Sequence, residues 1–280
     1  MIIRSKKIRS NEYIKTPNYN IWVRNFCNTS APNTDINSTI KESEYFLFLK
    51  NEFQNNIRKY QWTDPENYNY TTAVIISDGY DFNKLHNLLE KNKNVCFFGV
   101  NNSLKKWSNE KNSLNFYVVN NPYEECLRFL PPKNKKSLPR CIASNRTYPE
   151  FLDQYNGLKE RYSPANEESI RFNKPSDVYF QVDDYRNPVC ASIHLAYRFG
   201  CQKIFLLCCD DSFVENKPGS VLLENNLYTY PQQNIASEVI DCCLYWFKKS
   251  GGITGYHSMS KKINNAEYIK QEDINNYIIT

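Results

Sequence analysis

The chain is 280 residues long, 41% hydrophobic and 23% charged, with 35 Lys and Arg against 30 Asp and Glu for a net charge of +5. These proportions exclude disorder as the main state and allow one large α/β domain with a real core. The positive excess is spread along the chain, so no dedicated nucleic-acid module is marked, and no apolar run approaches the roughly 20 residues of a membrane span.

Residues 1–70 read as an N-terminal extension carrying a long amphipathic helix. A strand over 19–26 and a loop rich in Asn, Ser, Thr and Pro over 27–38 come first. The helix follows over about 40–60, with Phe46, Leu49, Phe53 and Ile57 recurring at spacings of three and four on one face. From residue 71 to 280 the pattern changes to strand, turn and helix in repetition. Strands are expected at 72–76, 95–100, 116–119, 141–143, 178–182, 203–209 and 253–256. Between them lie an amphipathic segment with Phe82, Leu85, Leu88 and Leu89, capped by Asp81, and a helix opened by Asn121-Pro122. Further helices are expected over 149–155, from Asn187-Pro188 to Phe199, and over about 234–249 before Gly251-Gly252, with 156–176 irregular. Alternating strands and helices over 71–280 predict an α/β domain, an open, mostly parallel sheet with helices on both faces.

In such a sheet, ligands bind beyond the carboxyl ends of the strands, near the point where strand order reverses. The expected strand ends carry Ser77-Asp78-Gly79, Asn101-Asn102, Asn120-Asn121, Ser144-Asn145 and Asp210-Asp211, and Asn187 starts a helix. Small polar groups of this kind suit the base, ribose and phosphates of a nucleotide, and a helix N-terminus supplies backbone donors for an anion. Asn and Asp are also ordinary turn and cap residues, and with 37 asparagines in the chain their recurrence at successive strand ends carries the signal. Asp210 is the leading candidate for a catalytic carboxylate, with Asp211 beside it as a binding group. His257, after the last expected strand, is the candidate acid or base. His86 and His194, inside expected helices, read as surface or packing residues. No metal-ligand set is assigned.

Only 8 glycines are present, and neither G-x-x-x-x-G-K-[ST], G-x-G-x-x-G nor G-x-S-x-G occurs. A P-loop enzyme, a conventional dinucleotide-binding protein and an α/β-hydrolase are thereby disfavoured. The 10 cysteines form no C-x-x-C and mostly sit in apolar runs. They read as buried free thiols of a cytoplasmic protein. The basic start lacks the apolar stretch of a signal peptide.

Two segments carry a family likeness. Asn187-Pro-Val-Cys-Ala-Ser-Ile-His-Leu-Ala-Tyr-Arg-Phe-Gly-Cys-Gln-Lys-Ile-Phe-Leu-Leu-Cys-Cys-Asp-Asp-Ser-Phe213 resembles a segment shared by motility accessory factors, archaeal 6-hydroxymethylpterin diphosphokinase-like proteins and a related bacterial sialyltransferase family. There, a polar turn opens a helix, an A-x-x-x-G-x-x-x-I spacing follows, here Ala196, Gly200 and Ile204, and an apolar strand ends at an Asp, here Asp210. Val74-Ile-Ile-Ser-Asp-Gly-Tyr-Asp-Phe82 through Asn101-Asn102 is similar to their opening strand, phosphate turn and second strand. The resemblance covers about 71–260 and implies that 71–280 is a Rossmann-like domain binding a nucleotide or nucleotide-sugar, with glycosyl or diphosphoryl transfer as its chemistry. The chain departs from the families at Ser77-Asp-Gly-Tyr80, where their turn is Gly-rich with Pro-Ser. It departs again at Val189 and Cys208, which stand in the place of Gly, and between Phe213 and Gln233, where no His matches the sialyltransferase base.

The leading expectation is a glycosyltransferase-like protein that transfers a sugar from a nucleotide donor and requires no cofactor. One alternative is diphosphoryl transfer, which would call for Mg²⁺ held through Asp210 or Asp211. Another is a catalytically inert member of the fold, with residues 1–70 as an assembly surface and a homo-oligomer as one outcome.

Overall fold

In a computed structural model of the chain, residues 47, 50–55, 60–77, 93–107, 114–132, 137–164, 180–184, 187–209, 229–259 and 263–279 are described. They form ten strands: β1 Gln61–Trp62, β2 Thr72–Ile76, β3 Val95–Val100, β4 Phe116–Val119, β5 Arg140–Ser144, β6 Lys159–Pro164, β7 Gln181–Val182, β8 Lys203–Leu207, β9 Thr254–His257 and β10 Ala266–Tyr268. The order across the sheet is β1-β6-β5-β4-β3-β2-β8-β9-β10, with β7 paired to the far end of β6. Every pairing among them is parallel. The fold is the expected α/β one, an open Rossmann-like sheet with helices on both faces.

The apolar runs explain the centre of the sheet. Every residue of β2, β3 and β4 is buried, as a parallel strand covered on both sides requires. Alternate residues face opposite ways. Ala73 and Ile75 join Phe98, Val118 and Leu206 beneath the helices Pro188–Arg198 and Thr229–Gly251. Val74 and Ile76 point to the other side, with Phe97, Phe205, Ile274 and Ile278. Farther along that second face, Tyr117, Val119 and Ala143 pack under Phe151 and Leu152 of the Pro149–Gln154 helix. Each of these fully buried aliphatic or aromatic side chains contributes roughly 1.5–3 kcal/mol.

The Pro188–Arg198 helix starts and stops as its sequence directs. Asn187 accepts the Val189 N–H at 2.8 Å and Pro188 takes the first turn, a cap worth about 1 kcal/mol. At its end Cys201 N–H bonds Ala196 O at 3.0 Å and Gly200 N–H bonds Tyr197 O at 3.0 Å. That Schellman closure needs a left-handed residue, and Gly200 supplies it at φ 92°.

Several expectations are corrected. The 156–176 segment is not irregular throughout, because 159–164 is the interior strand β6. Its Lys, Glu and Arg hide the strand in the sequence. Glu160 is nevertheless buried, accepting Tyr68 OH at 3.0 Å and pairing with Arg140, while Arg161 lies over the Trp62 ring at 4.2 Å. Asn121-Pro122 does not open a helix: Asn121 Oδ1 accepts Tyr123 N–H at 2.8 Å in a turn, and a 3₁₀ helix follows at Glu124–Phe129. The 203–209 strand stops at Leu207, where Cys208 takes φ 54°. The chain before 71 also enters the sheet through β1, with Tyr68 and Tyr70 packed against its core. On the helical residues 50–55, Phe53 of the expected apolar face is 67% exposed while Asn51 and Asn55 are buried, and Phe46, Leu49 and Ile57 lie outside the described residues. The strand at 19–26 and the helix bearing Phe82–Leu89 lie outside the described residues.

Eight of the nine described cysteines are buried free thiols. Burial pushes the Cys126 thiol up to about 12, which leaves it no thiolate character near neutral pH.

Candidate functional site

Strand order fixes where a site belongs. From β2 the chain steps outward through β3, β4, β5 and β6, and then returns to the other side of β2 with β8. The reversal therefore lies between β2 and β8, and the crevice opens beyond their carboxyl ends. Ser77 stands at that point, buried, its N–H bonded to Leu207 O at 3.2 Å.

Two of the expected groups meet there. Asn101 Nδ2 donates to Ser77 Oγ at 3.5 Å, and Tyr117 OH donates to Asn101 O at 3.0 Å. Asn101 sits at φ 52°, a left-handed conformation that Asn tolerates better than other side chains. Asn102 follows in the turn, its carbonyl accepting Lys105 N–H at 3.1 Å.

A second group assembles beyond β4, β6 and β7. Asp184 Oδ2 accepts Tyr162 OH at 3.1 Å and Asn120 Nδ2 at 3.5 Å. Asp184 is only 4% exposed, so these two donors offset much of the cost of burying its charge. Burial, followed by the Asp184 carboxylate, pushes the Tyr162 phenol well above its ordinary range, which keeps it a proton donor. The Asp184 carbonyl in turn accepts Asn187 N–H, joining this group to the helix start. Asn121 O accepts Tyr148 N–H at 3.0 Å, tying the loop after β4 to the loop after β5.

Next to Asp184, the Asp183 N–H donates to His194 Nδ1 at 2.9 Å, and an Asp183 carboxylate oxygen lies 3.6 Å from the same nitrogen. Burial, and then the charge of Arg198, hold His194 well below the ordinary histidine range. A neutral ring accepting at Nδ1 is the state that fits the backbone bond. Of the two readings its place in the sequence allowed, His194 takes the packing one, edge-on to Phe247 at 5.2 Å.

The structure thus joins Ser77 to Asn101, and Asn120 to Asp184 and the start of the Asn187 helix. His257 ends β9, buried, in register with Leu206 and Tyr268 and edge-on to the Tyr268 ring at 5.6 Å. Asp78, Gly79, Asp210 and Asp211 lie outside the described residues. Sequence reasoning passed over Asp183, Asp184 and Tyr162 altogether, because the strand before the acids is only two residues long and Tyr162 sits in a segment taken as irregular. The adjacent carboxylates directly ahead of the Asn187 cap were the available signal. Among the described residues, no group of three or more His, Cys, Asp or Glu is placed to hold a metal ion, and no helix is long and apolar enough to cross a membrane.

No family model matches the chain, and no curated protein matches it. Among solved structures it is similar to the MAf glycosyltransferase of Magnetospirillum magneticum AMB-1, with a TM-score of 0.62 and 12% identity over 82% of this chain. That match takes in 38% of the other protein, so this chain spans about two fifths of its neighbour's length. At this identity the likeness carries the fold. It falls on the motility accessory factors, the first of the three families that the 187–213 segment resembles, and bears on neither the diphosphokinase-like nor the sialyltransferase relationship.

Proposed function

We propose that this protein binds a nucleotide or nucleotide-sugar along the carboxyl rim of its sheet and acts as a glycosyltransferase-like enzyme. The observation that carries the reading is that two hydrogen-bonded polar groups form at carboxyl ends of the strands, Ser77 with Asn101 at the β2/β8 reversal and Asn120 with Asp184 and Tyr162 at β4, β6 and β7. The glycosyltransferase fold of the structural neighbour supports it. In this reading the Asn120–Asp184 group takes hydroxyls of a ribose or sugar, because a carboxylate accepts O–H donors and repels phosphate. Ser77, Asn101 and Asn102 hold the neighbouring part of the donor, with Asp78, Gly79, Asn121, Asn187 and Asp211 contributing from the turns around them.

The chemistry would break the bond between the anomeric carbon and the donor phosphate oxygen and form one to an acceptor oxygen. The acceptor's proton passes to a base, and the nucleotide leaves as the anion. Asp210, which follows β8 in the sequence, and His257 at the end of β9 are the proposed groups for that proton.

Isothermal titration with CMP, UDP, GDP and ATP, each with and without Mg²⁺, tests the reading. Metal-independent binding of one nucleotide is expected, weakened about tenfold or more by Asn101→Ala and by Asn120→Ala, which is about 1.4 kcal/mol each. No binding of any of the four at millimolar concentration rejects the proposal. Mg²⁺-dependent ATP binding lost in Asp210→Asn would replace it with diphosphoryl transfer.

A further inference from the structure

Four hydrogen bonds connect the start of the described chain to the rim. Asn51 Nδ2 donates to Pro122 O at 2.9 Å and to Arg146 O at 3.0 Å. Asn55 Nδ2 donates to Asn145 O at 2.8 Å and to Thr147 O at 2.8 Å. The two asparagines are four apart on helical residues 50–55, so their amides project from one face. Both are almost wholly buried, at 2% and 1% exposure. The four carbonyls they grip belong to two loops, one after β4 and one after β5. Those loops are themselves joined by Tyr148 N–H to Asn121 O and by Thr147 Oγ1 to Val119 O, both at 3.0 Å.

We infer that Asn51 and Asn55 are positioning residues of the rim: a pair of side-chain amides that fixes the β4 and β5 loops, and with them Asn120, Asn121 and Asn145, in the geometry a ligand meets. Two facts favour this over plain packing. Loop carbonyls with no ladder partner need donors when buried, and here one short helix satisfies four of them while its only described aromatic, Phe53, stays in solvent. Asn145, gripped by its carbonyl, keeps a side-chain Oδ1 that is enclosed yet has no partner among the described residues. Such an acceptor is open to a donor that the described residues do not supply.

Docking of residues 50–55 and occupancy of the rim are then coupled, each favouring the other by the same factor. This coupling rests on the nucleotide-binding reading; the grip on the loops does not.

Hydrogen exchange and titration on the full-length chain separate the two. In the unliganded protein, Asn55→Ala should speed exchange of the Thr147 and Tyr148 amides at least tenfold while β2 and β8 amides keep their protection. In the wild type, the nucleotide that binds should slow exchange over 50–55. Its dissociation constant should rise at least fivefold in Asn55→Ala but stay within twofold in Asn265→Ala, a control that removes side-chain bonds to Asp241 in the β9–β10 turn. If Asn55→Ala does not fold, Asn51→Ala serves, with exchange read at Tyr123 and Tyr148. Unchanged loop exchange overturns the inference whatever nucleotides do. Faster loop exchange with unchanged affinity overturns it too, since the helix would then only pack. If the wild type binds no nucleotide, the proposed function fails, and the grip is judged by loop exchange alone.

Discussion

Acid should destabilise this protein through His194, and the size of the effect follows from where the ring sits. His194 is buried, its Nδ1 accepts the Asp183 N–H, and its affinity for a proton is held well below the ordinary value of 6.5 by burial and by Arg198. Protonating Nδ1 would set one N–H against another. The Asp183 carboxylate, 3.6 Å away, offsets this in part, yet burial outweighs it because the charged ring loses its water. For a base whose folded pKa is depressed, the unfolded chain binds the extra proton. Stability is therefore complete above about pH 6.5 and falls as pH drops below it. A histidine that stays neutral in the fold loses about 2 kcal/mol of stability on going from pH 7.5 to pH 5.0. Urea unfolding at the two pH values, in the wild type and in His194→Gln, isolates this share, since every other titration is common to both. The wild type should lose about 2 kcal/mol more than the variant, whose amide oxygen still accepts the Asp183 N–H. Equal losses in the two proteins would refute the buried neutral ring.

Two more outcomes follow from single contacts. Gly200→Ala has room, its nearest non-local atom being Tyr70 O at 3.6 Å, so its cost is the left-handed backbone alone. We expect about 1–2 kcal/mol and a melting temperature lower by a few degrees in calorimetry. Tyr162→Phe leaves the buried Asp184 carboxylate with one donor fewer. Chemical denaturation should show a loss of about 1.5–3 kcal/mol at pH 7.

The middle of the fold was readable because its physics is local. Val74-Ile-Ile76, Val95–Val100 and Phe116–Val119 are apolar on both faces, and a run of that kind has few other places to go. The Asn187-Pro188 start and the Gly200 stop were equally legible, since cap chemistry lies within a few residues. What escaped depends on distant partners. Lys159–Pro164 becomes a strand because Arg140, Tyr68 and Trp62, from elsewhere in the chain, neutralise or cover its charges. The exposure of Phe53 has a related reason: apolar spacing marks it as inward, while the buried Asn51 and Asn55 are matched to carbonyls some 70–95 residues away. At the rim, the strand-end rule named Ser77, Asn101 and Asn120, which are joined by hydrogen bonds into two groups, but passed over Asp184, whose strand is two residues long.

The reversal of strand order has a price in time as well as a use in space. β2 pairs with β3 on one side almost as soon as both are made, but its other edge waits for β8, with residues 77–202 still to be synthesised. At ordinary ribosomal speeds that interval is on the order of ten seconds. Throughout it, that edge of β2, every residue of which is buried in the fold, is a bare row of amides and carbonyls. A chaperone that shields this edge during translation would raise the yield of native protein more than any help given after release.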